Sequence, residues 1–204
     1  MSSKRSIRES RPAVVVLAGP NGAGKSTAGP ALIRETFGIT EFVNADTIAQ
    51  GLSAFDPGRS AVAAGRVMLS RLRELARRRE SFAFETTLAS RSFAPWIKGL
   101  KRDGYVFGLL FLWLSSPELA LARVRDRVLL GGHDVPENVI RRRYTTGLRN
   151  LFALYRPLAT VWRVYDNTET AGPRPIAVGQ ESAVLQVADP VVWRKIQENI
   201  GYEE

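Results

Sequence analysis

The stretch A13VVVLAGPNGAGKST27 decides the fold. Four apolar residues in a row, Val14 to Leu17, read as a buried strand, and the pattern Gly19-x-x-x-x-Gly24-Lys25-Ser26 follows at once. That is the phosphate-binding loop pattern in the strand–loop–helix context it requires. The glycines let the backbone curl so that successive N–H groups turn inward around phosphate oxygens. The helix that follows adds the field of its positive end. Lys25 is expected to reach the β- and γ-phosphates, and the Ser26 hydroxyl to ligate Mg²⁺. The span Gly19, Pro20, Asn21, Gly22, Ala23, Gly24, Lys25, Ser26 and Thr27 is thus the expected binding site for ATP.

Outward from that loop, strands and helices alternate. A helix over Lys25–Phe37 stops near Gly38, and Glu41–Ala45 reads as a short strand ending in Asn44-Ala45-Asp46. A loop over Gly51–Gly58 precedes a long helix, Arg59–Arg79, with a one-sided apolar stripe at Val62, Arg66, Leu69, Leu72 and Leu75–Ala76. Strand Ser81–Phe84 ends in Glu85-Thr86-Thr87. A helix around Phe93–Lys101 leads to the strand Tyr105–Leu114, apolar throughout as a buried parallel strand is. Ser116-Pro117-Glu118 starts a helix bearing Arg123, Arg125 and Arg127, which breaks at Gly131-Gly132. Asp134-x-x-Glu137 reads as a capping pattern for the next helix, with Ile140, Tyr144, Leu148, Leu151 and Tyr155 on its buried face. Val161–Tyr165 is the fifth strand, ending in Asp166-Asn167. A hairpin over Pro175–Gly179 and Ala183–Ala188, and a helix capped by Asp189, close the chain.

The expected fold is therefore α/β: a P-loop NTPase or kinase fold with a central five-stranded parallel sheet flanked by helices, and a small C-terminal hairpin and helix. Residues 1–11 are expected to be a flexible arm and residues 12–204 a single domain with a lid over about 127–143. With 204 residues, one domain with a full core is the natural reading. No cysteine is present and only one histidine, which excludes a disulfide framework, a thiol nucleophile and a thiolate zinc site. The basic start MSSKRSIRESRP lacks an apolar core and no apolar run spans a bilayer, so a cytoplasmic protein with no membrane partner is expected. Of the 29 basic residues behind the net charge of +9, 24 are arginine, which suits a polyanionic ligand.

In parallel α/β sheets, ligands lie beyond the carboxyl ends of the strands. That rule gathers the loop, Asp46, Glu85 and Asp166-Asn167 at one cleft. Asp46 is the candidate for the base that accepts an acceptor proton. Glu85, with Thr86 and Thr87, is expected to orient substrate or Mg²⁺, and Asn167 to bind nucleotide. The arginines flanking Gly131-Gly132, namely Arg127 on one side and Arg141, Arg142 and Arg143 on the other, suit a lid that stabilises transferred phosphoryl charge. His133 between them has no assigned role. The fourth strand ends Trp113-Leu114-Ser115, without the acid that motor ATPases place there, and no NKxD or LSGGQ signature is present. These absences favour a small-molecule kinase. The other reading is a regulatory nucleotide-binding or nucleic-acid-associated module, or a nucleoside or polynucleotide kinase; nucleic acid is the less expected partner.

GPNGAGKST, VNADTIAQGLSAFDPGRSAVAAGR, FAFETTLAS, GGHDVPENVIRRRY and VYDNT together resemble the zeta toxin family of P-loop kinases, in a short stand-alone form, from Ala13 to Thr168. The resemblance implies phosphorylation of a sugar hydroxyl of UDP-N-acetylglucosamine and silencing by an antitoxin. It makes Lys25 and Ser26 the ATP·Mg²⁺ residues, Asp46 the catalytic base and Glu85 the substrate-orienting acid. Arg127 and the pair Arg142-Arg143 become the transition-state arginines, with the match among the three consecutive arginines left open.

Overall fold

The computed structural model describes residues 11–53, 57–132 and 134–200. One seven-stranded sheet organises the chain. Its strands are β1 (Ala13–Ala18), β2 (Phe42–Val43), β3 (Phe82–Thr86), β4 (Val106–Trp113), β5 (Val161–Asp166), β6 (Arg174–Gln180) and β7 (Ala183–Val187), in the order β2-β3-β1-β4-β5-β6-β7. The first five in that order pair in parallel, and β6 and β7 continue the sheet antiparallel. The expected hairpin is therefore no appendage: β6 pairs along β5, and the sheet is mixed.

β1 is central because it is apolar on both faces. Val14, Val16 and Ala18 enter one core layer, while Val15 and Leu17 enter the other, as the two-residue period of a strand requires. The first face is covered by α3 (Pro57–Arg77), α4 (Phe93–Arg102) and α8 (Pro190–Glu198) through Met68, Leu72, Ala94, Ile97, Trp193 and Ile196. The second is covered by α1 (Lys25–Phe37) and α5 (Pro117–Leu129) through Ile33, Ala120, Leu121 and Val124. On α1, a Cβ at Gly29 would overlap the Leu17 side chain, so the glycine sets how closely that helix approaches β1. Helix α6 (Glu137–Asn150) runs on through a π turn, Leu151–Tyr155, and a last turn α7 (Arg156–Leu158); Ile140 and Tyr144 join the second layer, Leu148, Leu151 and Tyr155 the first.

Three local expectations change, and the break of α5 at Gly131-Gly132 holds. Helix α2 (Ala45–Leu52) occupies what reads as strand end and loop, because Asn44 caps it: its Oδ1 accepts from the backbone N–H of Asp46 (2.7 Å) and Thr47 (3.3 Å). On α3 the buried set is Ala64, Met68, Leu72 and Leu75, whereas Val62 and Leu69 are exposed at 70% and 40%. Val62, Arg66 and Leu69 of the expected stripe thus face outward, since the buried row steps back by fours from Leu72 through Met68 to Ala64. The Asp134–Glu137 capping pair does not form; Pro136 occupies the cap and Asp134 accepts from its neighbour Val135. Gly131-Gly132 ends α5 in a Schellman cap, with Gly131 N–H donating to Val128 O and Gly132 N–H to Arg127 O, both at 2.9 Å. Residues 1–10 of the expected arm and His133 lie outside the described residues.

Candidate nucleotide and acceptor site

A cavity of about 420 Å³ opens at the carboxyl ends of β1 and β3. Residues 21–27 line it along the loop, with Asn44, Ala45 and Asp46 from the start of α2 and Glu85, Thr86 and Thr87 from the end of β3; Arg123, Arg127 and Arg143 complete the lining. Strand register brings these together: Leu17 pairs with Glu85 and Ala18 with Thr86, so the acid sits beside the strand that feeds the loop.

The loop is shaped to receive an anion. Gly22 and Gly24 both have φ +76°, and a Cβ at either would collide, at 2.8 Å with Ala120 O and at 2.6 Å with Asn167 Nδ2 respectively. No side chain caps α1, whose N-terminal residues line the cavity, so the positive end of the helix is available to an anion there. Lys25 is buried. Its Nζ donates to Gly19 O (2.9 Å) and Pro20 O (2.8 Å) and lies 3.7 Å from Glu85 Oε1. Burial lowers the Lys25 pKa below its ordinary value, with the charges of Glu85 and Asp46 opposing that shift. An arriving polyanion opposes it further.

A network of short bonds joins the three segments. Asn44 Nδ2 donates to Glu85 Oε2 (2.7 Å) and to Ser26 Oγ (3.3 Å), and Ser26 Oγ donates to the same Glu85 oxygen (3.1 Å). Asn44 thus caps α2 with its oxygen and fixes Glu85 with its nitrogen. Asp46, in the first turn of α2, is presented to the cavity by that cap. The Ser26 hydroxyl with the Glu85 and Asp46 carboxylates is a hard oxygen set, and Mg²⁺ in phosphate-transfer sites takes one or two carboxylates alongside the substrate phosphates. These residues fit it.

Not every expected residue lies on the cavity. Gly19 and Pro20 lie outside its lining and hold Lys25 through their carbonyls. Asn167 is buried beneath the loop; its Nδ2 donates to Ala23 O (2.8 Å), so it braces the loop instead of lining the nucleotide space. Asp166 pairs with Arg174 and accepts from Thr168 N–H, anchoring the turn after β5. Of the three consecutive arginines, Arg141 pairs with Glu118 (2.7 Å) and Glu137 (2.9 Å), and Arg142 is exposed outside the lining. Only Arg143 turns in, half-buried, with NH1 donating to Asn21 Oδ1 at 3.4 Å. One residue along a helix is about a 100° rotation, which separates the three.

Two cavity residues escaped sequence reasoning. Arg123 donates to Asn167 O and Thr168 O, both at 2.7 Å, tying α5 to the turn after β5. Its spacing of four from Arg127 puts both on one face of α5, which was the available signal. Asn44 reads as the end of a strand, and its bond to Glu85 spans 41 residues.

The described residues contain no helix long and apolar enough to cross a membrane. A family model described as an AAA domain matches residues 14–146, well over half of the chain. The chain belongs to that family. An uncharacterized protein of Haemophilus influenzae is 29% identical over 126 residues, covering 62% of this chain and 88% of its own length. Among solved structures, the PezAT chromosomal toxin–antitoxin system of Streptococcus pneumoniae matches 100% of this chain and 82% of its own at 18% identity, TM-score 0.64. The AvrRxo1-ORF1:AvrRxo1-ORF2 complex with ATP matches 91% of this chain at 17% identity, TM-score 0.66; this chain covers 63% of its length, under two thirds. These likenesses establish the P-loop kinase type of α/β fold with a mixed sheet.

Proposed function

We propose that the chain is an ATP-dependent phosphotransferase that moves the γ-phosphoryl group to a hydroxyl of a nucleotide-sugar such as UDP-N-acetylglucosamine. The observation that carries this reading is the convergence of Lys25, the Ser26–Asn44–Glu85 network, Asp46 and three arginines on one cavity. A nucleotide-binding module that only switches state has no need of a carboxylate beside the loop together with arginines on the same cavity.

Lys25 leaves the Gly19 and Pro20 carbonyls for the β- and γ-phosphate oxygens, and the N–H groups of the loop hold the remaining charge. Ser26, with Glu85 behind it, would hold Mg²⁺, which would supply charge neutralisation at the phosphates. Asp46 accepts the acceptor hydroxyl proton as the oxygen bonds to the γ-phosphorus and the bond to the β-phosphate oxygen breaks. Thr86 and Thr87 orient the acceptor. Arg127 and Arg143 balance charge on the equatorial oxygens, where a preorganised donor acts most strongly. We also propose an antitoxin partner, supported by fold likeness to the PezAT toxin–antitoxin system.

The test is a product screen. The protein is incubated with Mg²⁺ and ATP and a panel of UDP-sugars, nucleosides and oligonucleotides, and mass spectrometry seeks an added phosphate. A phosphorylated UDP-N-acetylglucosamine is expected. No small-molecule product, with salt-sensitive binding of random DNA instead, overturns the reading in favour of a nucleic-acid module.

A further inference from the structure

The wall that carries Thr86 and Thr87 is held in a costly shape. Leu88, the next residue, is fully buried with φ +57°, a left-handed conformation that a residue with a bulky side chain adopts only when its surroundings impose it. Leu88 N–H turns back onto Thr86 Oγ1 at 3.2 Å. The constraint comes from elsewhere in the chain. Asn150 Nδ2 donates to Leu88 O at 2.7 Å and to Ala89 O at 3.5 Å, and Tyr155 OH donates to Ser90 O at 2.6 Å. A Cβ at Gly147 would overlap Thr87 O, so α6 meets this loop backbone to backbone.

These groups share one helix face. Gly147 and Asn150 follow Arg143 by four and seven residues, the spacing of a single stripe. Tyr155 follows Asn150 by five, which in an α-helix would turn it away. The π turn over Leu151–Tyr155, with Arg156 N–H donating to Leu151 O, widens the helix so that each residue rotates less, and this brings Tyr155 back toward the loop. Asn150 is itself buried, and its donor leaves its own helix for carbonyls 62 and 61 residues away.

We propose that Asn150, with Gly147 and Tyr155, positions the acceptor subsite: one face of α6 and the π turn fixes the Thr86–Thr87 wall at a set distance from Arg143. This rests on the kinase reading. None of the three touches substrate. Their effect is on where the wall stands, so it reaches the acceptor and not the nucleotide, whose part of the lining is residues 21–27.

The test compares wild type with Asn150→Asp and Tyr155→Phe. Asn150→Asp keeps the shape, loses the donor and sets a carboxylate oxygen against the Leu88 and Ala89 carbonyls. Michaelis constants for UDP-N-acetylglucosamine and for ATP are measured, with hydrogen exchange of the amides at 87–91. Asn150→Asp is expected to raise the acceptor KM about tenfold, the scale of one buried hydrogen bond, with the ATP KM within about twofold and faster exchange in the loop. Tyr155→Phe, which keeps the ring and its packing, should move the same two readouts in the same direction by less. An unchanged acceptor KM in both variants, or acceptor and ATP constants rising together, overturns the positioning role while leaving the kinase reading intact. Wild-type protein that phosphorylates no acceptor brings down both.

Discussion

At the scale of single residues, the cavity separates groups that the sequence leaves side by side. Arg142 and Arg143 are neighbours in the chain, yet only Arg143 lines the cavity. Arg143→Ala should lower kcat by about 10²–10³-fold, the usual effect of losing one preorganised donor, whereas Arg142→Ala should stay within about twofold. Steady-state rates of both variants check this; a larger loss from Arg142→Ala would reverse the assignment. Asp46 can act as base or as part of the Mg²⁺ shell, and Asp46→Asn divides the two roles. As base, its loss should slow phosphorylation on the order of 10²–10⁴-fold while ATP binds nearly as before. As metal ligand, its loss should weaken ATP binding in the presence of Mg²⁺ and not in its absence, which calorimetric titration with and without Mg²⁺ reads directly. The residues of the loop were legible because their spacing is a local code. Arg123 and Asn44 were not, because what makes them part of the site is contact across 44 and 41 residues.

At the scale of elements, the helix and strand order was legible from apolar periodicity and from turn residues, down to the bounds of α1. Short elements escaped. Helix α2 has eight residues and one buried position, Ala49, so its apolar pattern is too brief to announce a helix. What creates it is the Asn44 cap, and that cap also faces the site. Asn44→Ala should therefore do two things. It removes the cap, at about 1 kcal/mol, which lowers Tm by roughly 2–4 °C for a chain of this size. It also releases Glu85 and slows turnover. Asn44→Ser separates the effects, since serine caps a helix but is too short to bridge to Glu85: Tm should return toward wild type and activity should not. Thermal melts and initial rates of the two variants decide it. Activity restored along with Tm would mean that Asn44 serves only the helix.

At the scale of the whole molecule, the C-terminal hairpin and α8 belong to the same core as the site, although they lie at the far edge of the sheet. Trp193 of α8 stacks on Trp162 at 5.8 Å between ring centroids and packs on Phe152 at 5.4 Å, and all three are buried in the layer that also holds Phe84 and Trp113. Trp162 lies near the start of β5, four residues before Asp166 at the rim. At about 3.3 Å per residue that is on the order of 13 Å from the level of the cavity. Stability and ligand binding should then come apart. Trp193→Ala removes a large buried ring and is expected to cost about 3–5 kcal/mol, close to the scale of a domain's whole stability, and to lower Tm by about 6–20 °C. Below the new transition the cavity is untouched, so the ATP dissociation constant should remain within about twofold of wild type. Differential scanning calorimetry and calorimetric ATP titration at 15 °C measure the two quantities on one sample. A Tm change of a degree or two would mean that α8 packs as an accessory element. A large loss of ATP affinity at that temperature would mean that strain at the sheet's edge is transmitted across β5 and β4 to the phosphate-binding loop.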